Sequence, residues 1–231
     1  MSAAHDFLIQ GTDLRVVAAA AHDCLMQGRD LRVAAAVVNH SLMQGTDGQV
    51  VTAAANVFLM QGTDTQVSSA AVHDSLMQGT DLRMTGVHDC VMQGTDTYLT
   101  AAASAVHDCL MQGTDAQVST AAVHESVMQV TDTQMSAAHD FLIQGTDLRV
   151  VAAAAHDCLM QGRDLRVAAA VVNHSLMQGT DGQVVTAAAN VFLMQGTDTQ
   201  VSSAAVHDSL MQGTDLRMTG VHDCVMQGTD T

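Results

Sequence analysis

Residues 14–28 read LRVVAAAAHDCLMQG, and this stretch decides between helix and strand for the repeated unit. Advanced by about 100° per residue, as in an α-helix, its apolar residues gather on one arc. That arc carries Leu14, Val17, Ala18, Ala20, Ala21, Cys24, Leu25 and Gly28, and the opposite arc carries Arg15, Val16, Ala19, His22, Asp23, Met26 and Gln27. With the period of two that a half-buried strand requires, neither face is uniformly apolar. The stretch therefore predicts an amphipathic helix.

The same unit recurs along the chain, mostly every 17 residues, with the core H-D-x-L-M-Q-G-T-D. The glycine slot of its G-T-D motif is filled 14 times, once by Val130. The spacing is 15 residues before Gly94, Gly145 and Gly228 and 19 before Gly113, and these changes leave the tail H-D-x-L-M-Q-G intact. A fixed short period indicates one supersecondary unit stacked many times.

Helix-end signals accompany each unit. The Gly after Met-Gln suits the position that follows a helix C-terminus, and the Thr or Asp beside it suits an N-cap. We therefore expect an all-α fold, a tandem array of short antiparallel helices with about one helix per repeat and tight G-T-D turns. A β-solenoid is the main alternative, because 17 residues are close to one coil of such folds. A disordered or molten chain is another, because the expected core is mostly Ala, Ser and Gly.

A longer repeat encloses the short one. Residues 135–231 are identical to residues 1–97, so residues 1–134 form the first long repeat. We treat residues 1–231 as a single array in which each unit contacts mainly its neighbours. The array starts and stops within a unit, without the polar terminal repeats that cap most solenoids, and this predicts self-association.

Composition excludes several classes of partner. The net charge is −16 with only eight basic residues, which argues against nucleic acid and against an anionic membrane surface. No signal peptide or apolar run long enough to cross a bilayer is present. The five cysteines share one slot of the repeat with Ser and Phe, so we interpret them as free thiols. These features predict a cytoplasmic protein.

The sequence does not favour an enzyme. His73-Asp74-Ser75 and its copy at residues 207–209 contain the residue types of a catalytic triad. Consecutive helix residues diverge by about 100°, so such an Asp could not orient its neighbouring His toward the Ser. The G-T-D motif lacks the Lys of a phosphate loop and the alternating acidic ligands of a calcium loop. We expect no catalytic residue and no cofactor.

Paired histidine and methionine residues are candidate ligands for a soft metal, because residues at i and i+4 share a helix face. The candidates are His22 with Met26, His73 with Met77, and His107 with Met111. In a helical array the equivalent histidines would be two helices apart. In a β-solenoid they would form a ladder with a spacing of about 4.8 Å, which favours metal binding more strongly.

Exchangeable repeats suit a long uniform surface better than a unique active site. The predicted function is therefore that of a non-enzymatic structural or self-associating repeat protein. A soft-metal or pH-responsive binder using the His/Met stripe is an alternative, since protonating all 12 histidines would change the net charge from −16 to −4. A further alternative is a reading frame through tandem-repeat DNA without selected function.

Overall fold

The computed structural model describes residues 4–101, 106–120, 123–136, 139–220 and 224–228. These residues contain no helix, hence none that could span a bilayer, and lie almost entirely in strands. They belong to two compact units, a first of Met1–Thr114 with Ser119–Ala121 and a second of Asp115–Val118 with Ala122–Thr231. The division does not coincide with the duplication, whose second copy begins at Met135.

Each unit is a parallel β-solenoid, so the all-α prediction of a helical repeat is wrong and its β-solenoid alternative is correct. The strands run around the corners of the coil and several of them cover more than one turn. Within the described residues they are β1 (Ala4–Gln44), β2 (Asp47–Ala101), β3 (Val106–Thr120), β4 (Val123–Ser136), β5 (Asp140–Gln144), β6 (Asp147–Gln161), β7 (Asp164–Gln178), β8 (Asp181–Thr219) and β9 (Cys224–Gly228).

The repeat period sets the register of the parallel pairs. In the first unit β1 pairs with β2, and Asp30 lies opposite Asp47, one repeat later. In the second unit β6 pairs with β7 and β7 with β8 in the same way. Where the repeat is shorter, β4 still places Gln129 opposite Gln144 of β5. The constant tail therefore stays in register through the changes of length, and equivalent residues form columns along each unit.

The helix prediction is wrong because the alternation of buried and outward-facing side chains along the strands restarts within each turn. In β7 the buried Leu165, Val167 and Ala169 alternate with residues that face outward. The alternation then changes phase twice, because Val172 is buried next to the exposed Val171, and inward positions resume with Ser175 only after two side chains at 173–174 that reach the surface. A sequence window that includes such a restart has no continuous period of two. Its apolar residues then fit the period of a helix better than that of a strand, and the prediction is wrong.

The burial of two residue types shows the error directly. The helical projection puts Val17 on the buried arc and Met26 on the polar one, whereas Val17 is 74% exposed and Met26 is fully buried. The cysteine slot does face inward in most turns, as the projection predicted, although Cys224 is exposed. The interior contains a methionine column in each unit, whose members fill irregular space well because their side chains are flexible. The fully buried methionines include Met26, Met43, Met60, Met77, Met92, Met111, Met128, Met160, Met177, Met194 and Met211.

The glycines of the G-T-D motif do not close antiparallel turns. Among the described residues a positive φ occurs at Gly86 and Gly220, and neither belongs to a G-T-D motif. The motif glycines instead lie where successive turns approach closely. A Cβ on Gly79 would lie 1.9 Å from the carbonyl oxygen of Gly62, one turn earlier. Glycine is used there because the neighbouring backbone occupies the space of a side chain.

Candidate functional site

Histidine columns run along the surface of both units. In the first unit the rings of His73 and His88 stack with centroids 5.4 Å apart, and those of His88 and His107 with centroids 5.2 Å apart. In the second unit His139 stacks on His124 at 5.4 Å and on His156 at 5.2 Å. This is the histidine ladder that the β-solenoid alternative predicts.

The predicted His/Met ligand pairs are split between the surface and the interior. The imidazoles of His22, His73 and His107 are exposed. The sulfur-bearing partners are fully buried, namely Met26, Met77 and Met111. Residues at i and i+4 would share a face of a regular strand, but the two consecutive outward residues at His-Asp shift the alternation by one place. The structure thus does not bring imidazole and thioether onto one surface, and soft-metal binding by these pairs stays a prediction.

The His-Asp-Ser sequences are divided in the same way. His73 and Asp74 are exposed, whereas Ser75 is buried. The hydroxyl of Ser75 donates to the carbonyl oxygen of Asp89 at 3.3 Å and so points away from its two neighbours. The three side chains do not converge as a catalytic triad requires.

The cysteine side chains are free thiols, and most of them lie in the interior. Burial raises the pKa of Cys24 to about 11 and that of Cys158 to about 12. A hydrogen bond with Cys109, with Sγ–Sγ 3.1 Å, is the largest cause of the raised pKa of Cys90. Because the thiolate is the reactive and metal-binding form, these protonated thiols are poor nucleophiles and ligands.

Glutamine side chains form a hydrogen-bonded ladder in each unit. In the first unit each Nε2 donates to the Oε1 of the next glutamine at 2.8–3.0 Å, along Gln10, Gln27, Gln44, Gln61, Gln78, Gln93 and Gln112. The second unit repeats this at 2.9–3.5 Å along Gln129, Gln144, Gln161, Gln178, Gln195, Gln212 and Gln227. Each bond ties one turn to the next, so the ladder stabilises the stack.

The aspartates of the G-T-D motif and of its variant G-R-D form a column of like charges, the T-D column. In the second unit Asp147 lies in register with Asp132 and Asp164. The hydrogen bond to Asp164 is the largest cause of the raised pKa of Asp147, followed by its desolvation and the charges of both neighbours. The pKa values of Asp64 and Asp198 are raised for the same reason. The largest cause is the hydrogen bond to Asp81 for Asp64 and the hydrogen bond to Asp215 for Asp198. The folded state therefore favours protonation of Asp64, Asp147 and Asp198.

We expect this column to make the fold more stable in mild acid. A carboxyl whose pKa is raised by folding penalises the fold when it is ionised, and the penalty disappears as the pH falls through the folded pKa. Tm should thus increase as the pH is lowered from 7 toward the usual aspartate value of 3.8. Asp147→Asn should raise Tm at pH 7, and the difference from the unmodified chain should vanish near pH 4.

The control for this measurement is Asp208→Asn, an exposed aspartate outside the T-D column. Thermal melts followed by circular dichroism at several pH values give both comparisons. An Asp147→Asn chain that melts below the unmodified one at pH 7 would contradict the prediction.

A cluster that the sequence reasoning missed lies on two successive turns of the second unit. His174 Nδ1 is 3.0 Å from Asp157 Oδ1, and His156 Nδ1 is 4.0 Å from the same oxygen. Donor atoms of these three residues all lie within 4.8 Å of one another. The signal was present at residues 173–175, where Asn-His-Ser replaces His-Asp-x and puts a histidine in register with the aspartates of the His-Asp dipeptides.

A surface groove of about 550 Å³ adjoins this cluster. The groove is lined by an apolar column that includes Leu142, Leu159 and Leu176, and also by Asp157 and His174. The arrangement offers imidazole and carboxylate ligands beside an apolar surface.

Comparison of the chain with protein-family models, with curated proteins and with solved structures finds no match.

Proposed function

We propose that the chain is a non-enzymatic structural repeat protein whose solenoid surface associates with further copies of itself. The observation that carries the proposal is an exposed apolar column on an outward strand face. In the second unit Val151, Ala168 and Val185 lie in register, and the two valines are 62% and 59% exposed. A contiguous exposed apolar patch on a sheet is typical of an association surface.

The first unit presents the same column. Ala34 lies in register with Val51, which is 59% exposed, and Val17 occupies the equivalent place one repeat earlier. A second copy of the chain is the partner that fits best, because its own columns have the same spacing between turns. Weak contacts on the three successive turns of the column would then add, as they do in other multivalent interactions.

The repetition also supports a structural role over a catalytic one. The histidine, glutamine and aspartate columns give every turn nearly the same surface, whereas catalysis needs a unique arrangement of groups.

We further propose a reducing, cytoplasmic location for the protein. Four free thiols inside the units support this location, because free thiols persist in reducing compartments.

Sedimentation velocity over a range of concentrations at pH 7 tests the self-association. The unmodified chain should show species heavier than one chain, and their share should grow with concentration. Val51→Lys together with Val185→Lys should shift the chain to the monomer, because two charges would enter the apolar column. The proposal fails if the unmodified chain sediments as a monomer throughout.

The matched control is Thr63→Lys with Thr197→Lys, which adds the same charge at exposed corner positions of the same two repeats. This control should associate like the unmodified chain. Equal dissociation of both variants would mean that net charge, and not the valine column, governs association.

A further inference from the structure

We propose that His156, Asp157 and His174 form a binding site for a divalent transition-metal ion, and that His22, Asp23 and His40 carry a second copy of it. The site goes beyond the structural function proposed above. It also differs from the predicted His/Met pairs, because its donors are two imidazoles and one carboxylate and all three lie at the surface.

The fold assembles the site from a local departure in the repeat. Most turns carry His-Asp at this corner, but one turn of each long repeat carries Asn-His. The parallel register therefore places His174 directly after Asp157 in the column formed by the aspartates of the His-Asp dipeptides. His156 precedes Asp157 along the chain, so two histidines from successive turns flank one carboxylate.

The distances suit a small cation. Ligand atoms at roughly 2.1 Å from a tetrahedral zinc ion are about 3.4 Å apart. The donors of the three residues lie within 4.8 Å of one another, and the shortest pair is already at 3.0 Å. The side chains of His174 and Asp157 are 60% and 66% exposed, so they can rotate toward His156 to close the remaining gap.

Neighbouring residues hold the site in place. His139 stacks on His156 with an interplanar angle of 11°, which limits the orientations of that imidazole. The backbone N–H of Asp157 donates to the Asp140 carboxylate at 3.2 Å. Asp140 and Glu125 continue the same column toward the chain N-terminus and add negative charge beside the site. Such a charge distribution attracts a cation.

The donor set selects the class of ion. Imidazole ligands suit zinc, copper and nickel, whereas calcium and magnesium prefer oxygen ligands alone. Three protein donors leave at least one coordination position for water. The ion would join one turn to the next, since His156 and Asp157 lie on one turn and His174 on the following one.

The first copy has the same residues in a slightly different arrangement. His40 Nδ1 lies 2.9 Å from Asp23 Oδ1, while Asn39 Nδ2 lies 3.1 Å from His22 Nε2. A rotation of Asn39 would release the imidazole of His22 for the ion. We therefore expect two ions per chain at saturation.

Titration of Zn²⁺ into the full chain by isothermal calorimetry at pH 7.4 tests the proposal. The unmodified chain should bind zinc saturably. His40→Asn with His174→Asn should lower the affinity at least about 10-fold, because each site loses a ligand. The matched control is His73→Asn with His207→Asn, which has the same composition and removes exposed histidines outside both sites. The control should retain the affinity of the unmodified chain.

Thermal melts supply a second readout that also reports folding. An ion that binds only the folded state raises Tm. Zinc should therefore raise the Tm of the unmodified chain and of the control, but not that of His40→Asn with His174→Asn. The proposal is overturned by the absence of saturable binding, or by an equal loss of affinity in the two double variants.

Discussion

Replacing Met160 by lysine should prevent stable folding of the second unit, whereas replacing Val151 by lysine should leave it folded. Met160 is fully buried in the methionine column, in register with Ile143 on one side and Met177 on the other. An unpaired charge there loses its hydration, and the methionine contacts are lost as well. We expect a destabilisation of at least about 3 kcal/mol. Val151 is 62% exposed, so its replacement should change the stability by about 0.5 kcal/mol or less.

This pair of substitutions separates the two architectures, because the helical projection makes the opposite prediction. In the projection of residues 14–28 the methionine equivalent to Met160 lies on the polar arc and the valine equivalent to Val151 on the apolar one. Urea unfolding followed by far-UV circular dichroism measures both effects. A Met160→Lys chain that unfolds at the same urea concentration as the unmodified chain would contradict the burial of Met160.

Replacing Gly79 by alanine should destabilise the first unit by about 1–3 kcal/mol, the usual cost of inserting a methyl group into filled space. The new Cβ would meet the carbonyl oxygen of Gly62 at 1.9 Å. That oxygen belongs to the backbone of the preceding turn, so it cannot move aside as the end of a side chain can. Alanine in open space would have the opposite effect, because it restricts the unfolded chain and stabilises by about 0.4–1 kcal/mol. The sign of the change therefore reports the close approach of the turns.

Gly11→Ala is the matched control for Gly79→Ala. Both glycines belong to the G-T-D motif, but the atoms nearest to a Cβ on Gly11 belong to the flexible side chain of Leu14. We expect the stability to change by about 0.5 kcal/mol or less in this control. Thermal and urea unfolding give the comparison, and a Gly79→Ala chain as stable as the control would exclude a steric role for the glycine.

Much of the candidate site was accessible from the sequence once strands were assumed. The ladder of histidines follows from the repeat period, as His73 and His88 show by stacking at 5.4 Å. The prediction that His73 and Met77 share one face was wrong, because Met77 is buried in the interior. The residue types around Asp74 do not indicate that the alternation of buried and exposed side chains restarts there. The partnership of Asp157 with His174 depends on which turns are adjacent, so it became visible only with the register.

The repeated unit, the constant tail that keeps its register and the inward position of most of the cysteine slot could all be predicted from the sequence. These are properties of spacing and of side-chain chemistry, and they hold for any regular stack of units. The choice of strand over helix, the burial of methionines such as Met26 and the approach of Gly79 to Gly62 became visible only in the folded chain. Every one of these features depends on contacts between turns. Parallel pairing satisfies the backbone of each turn with the next, and those bonds override the helix propensity of the alanine-rich segments.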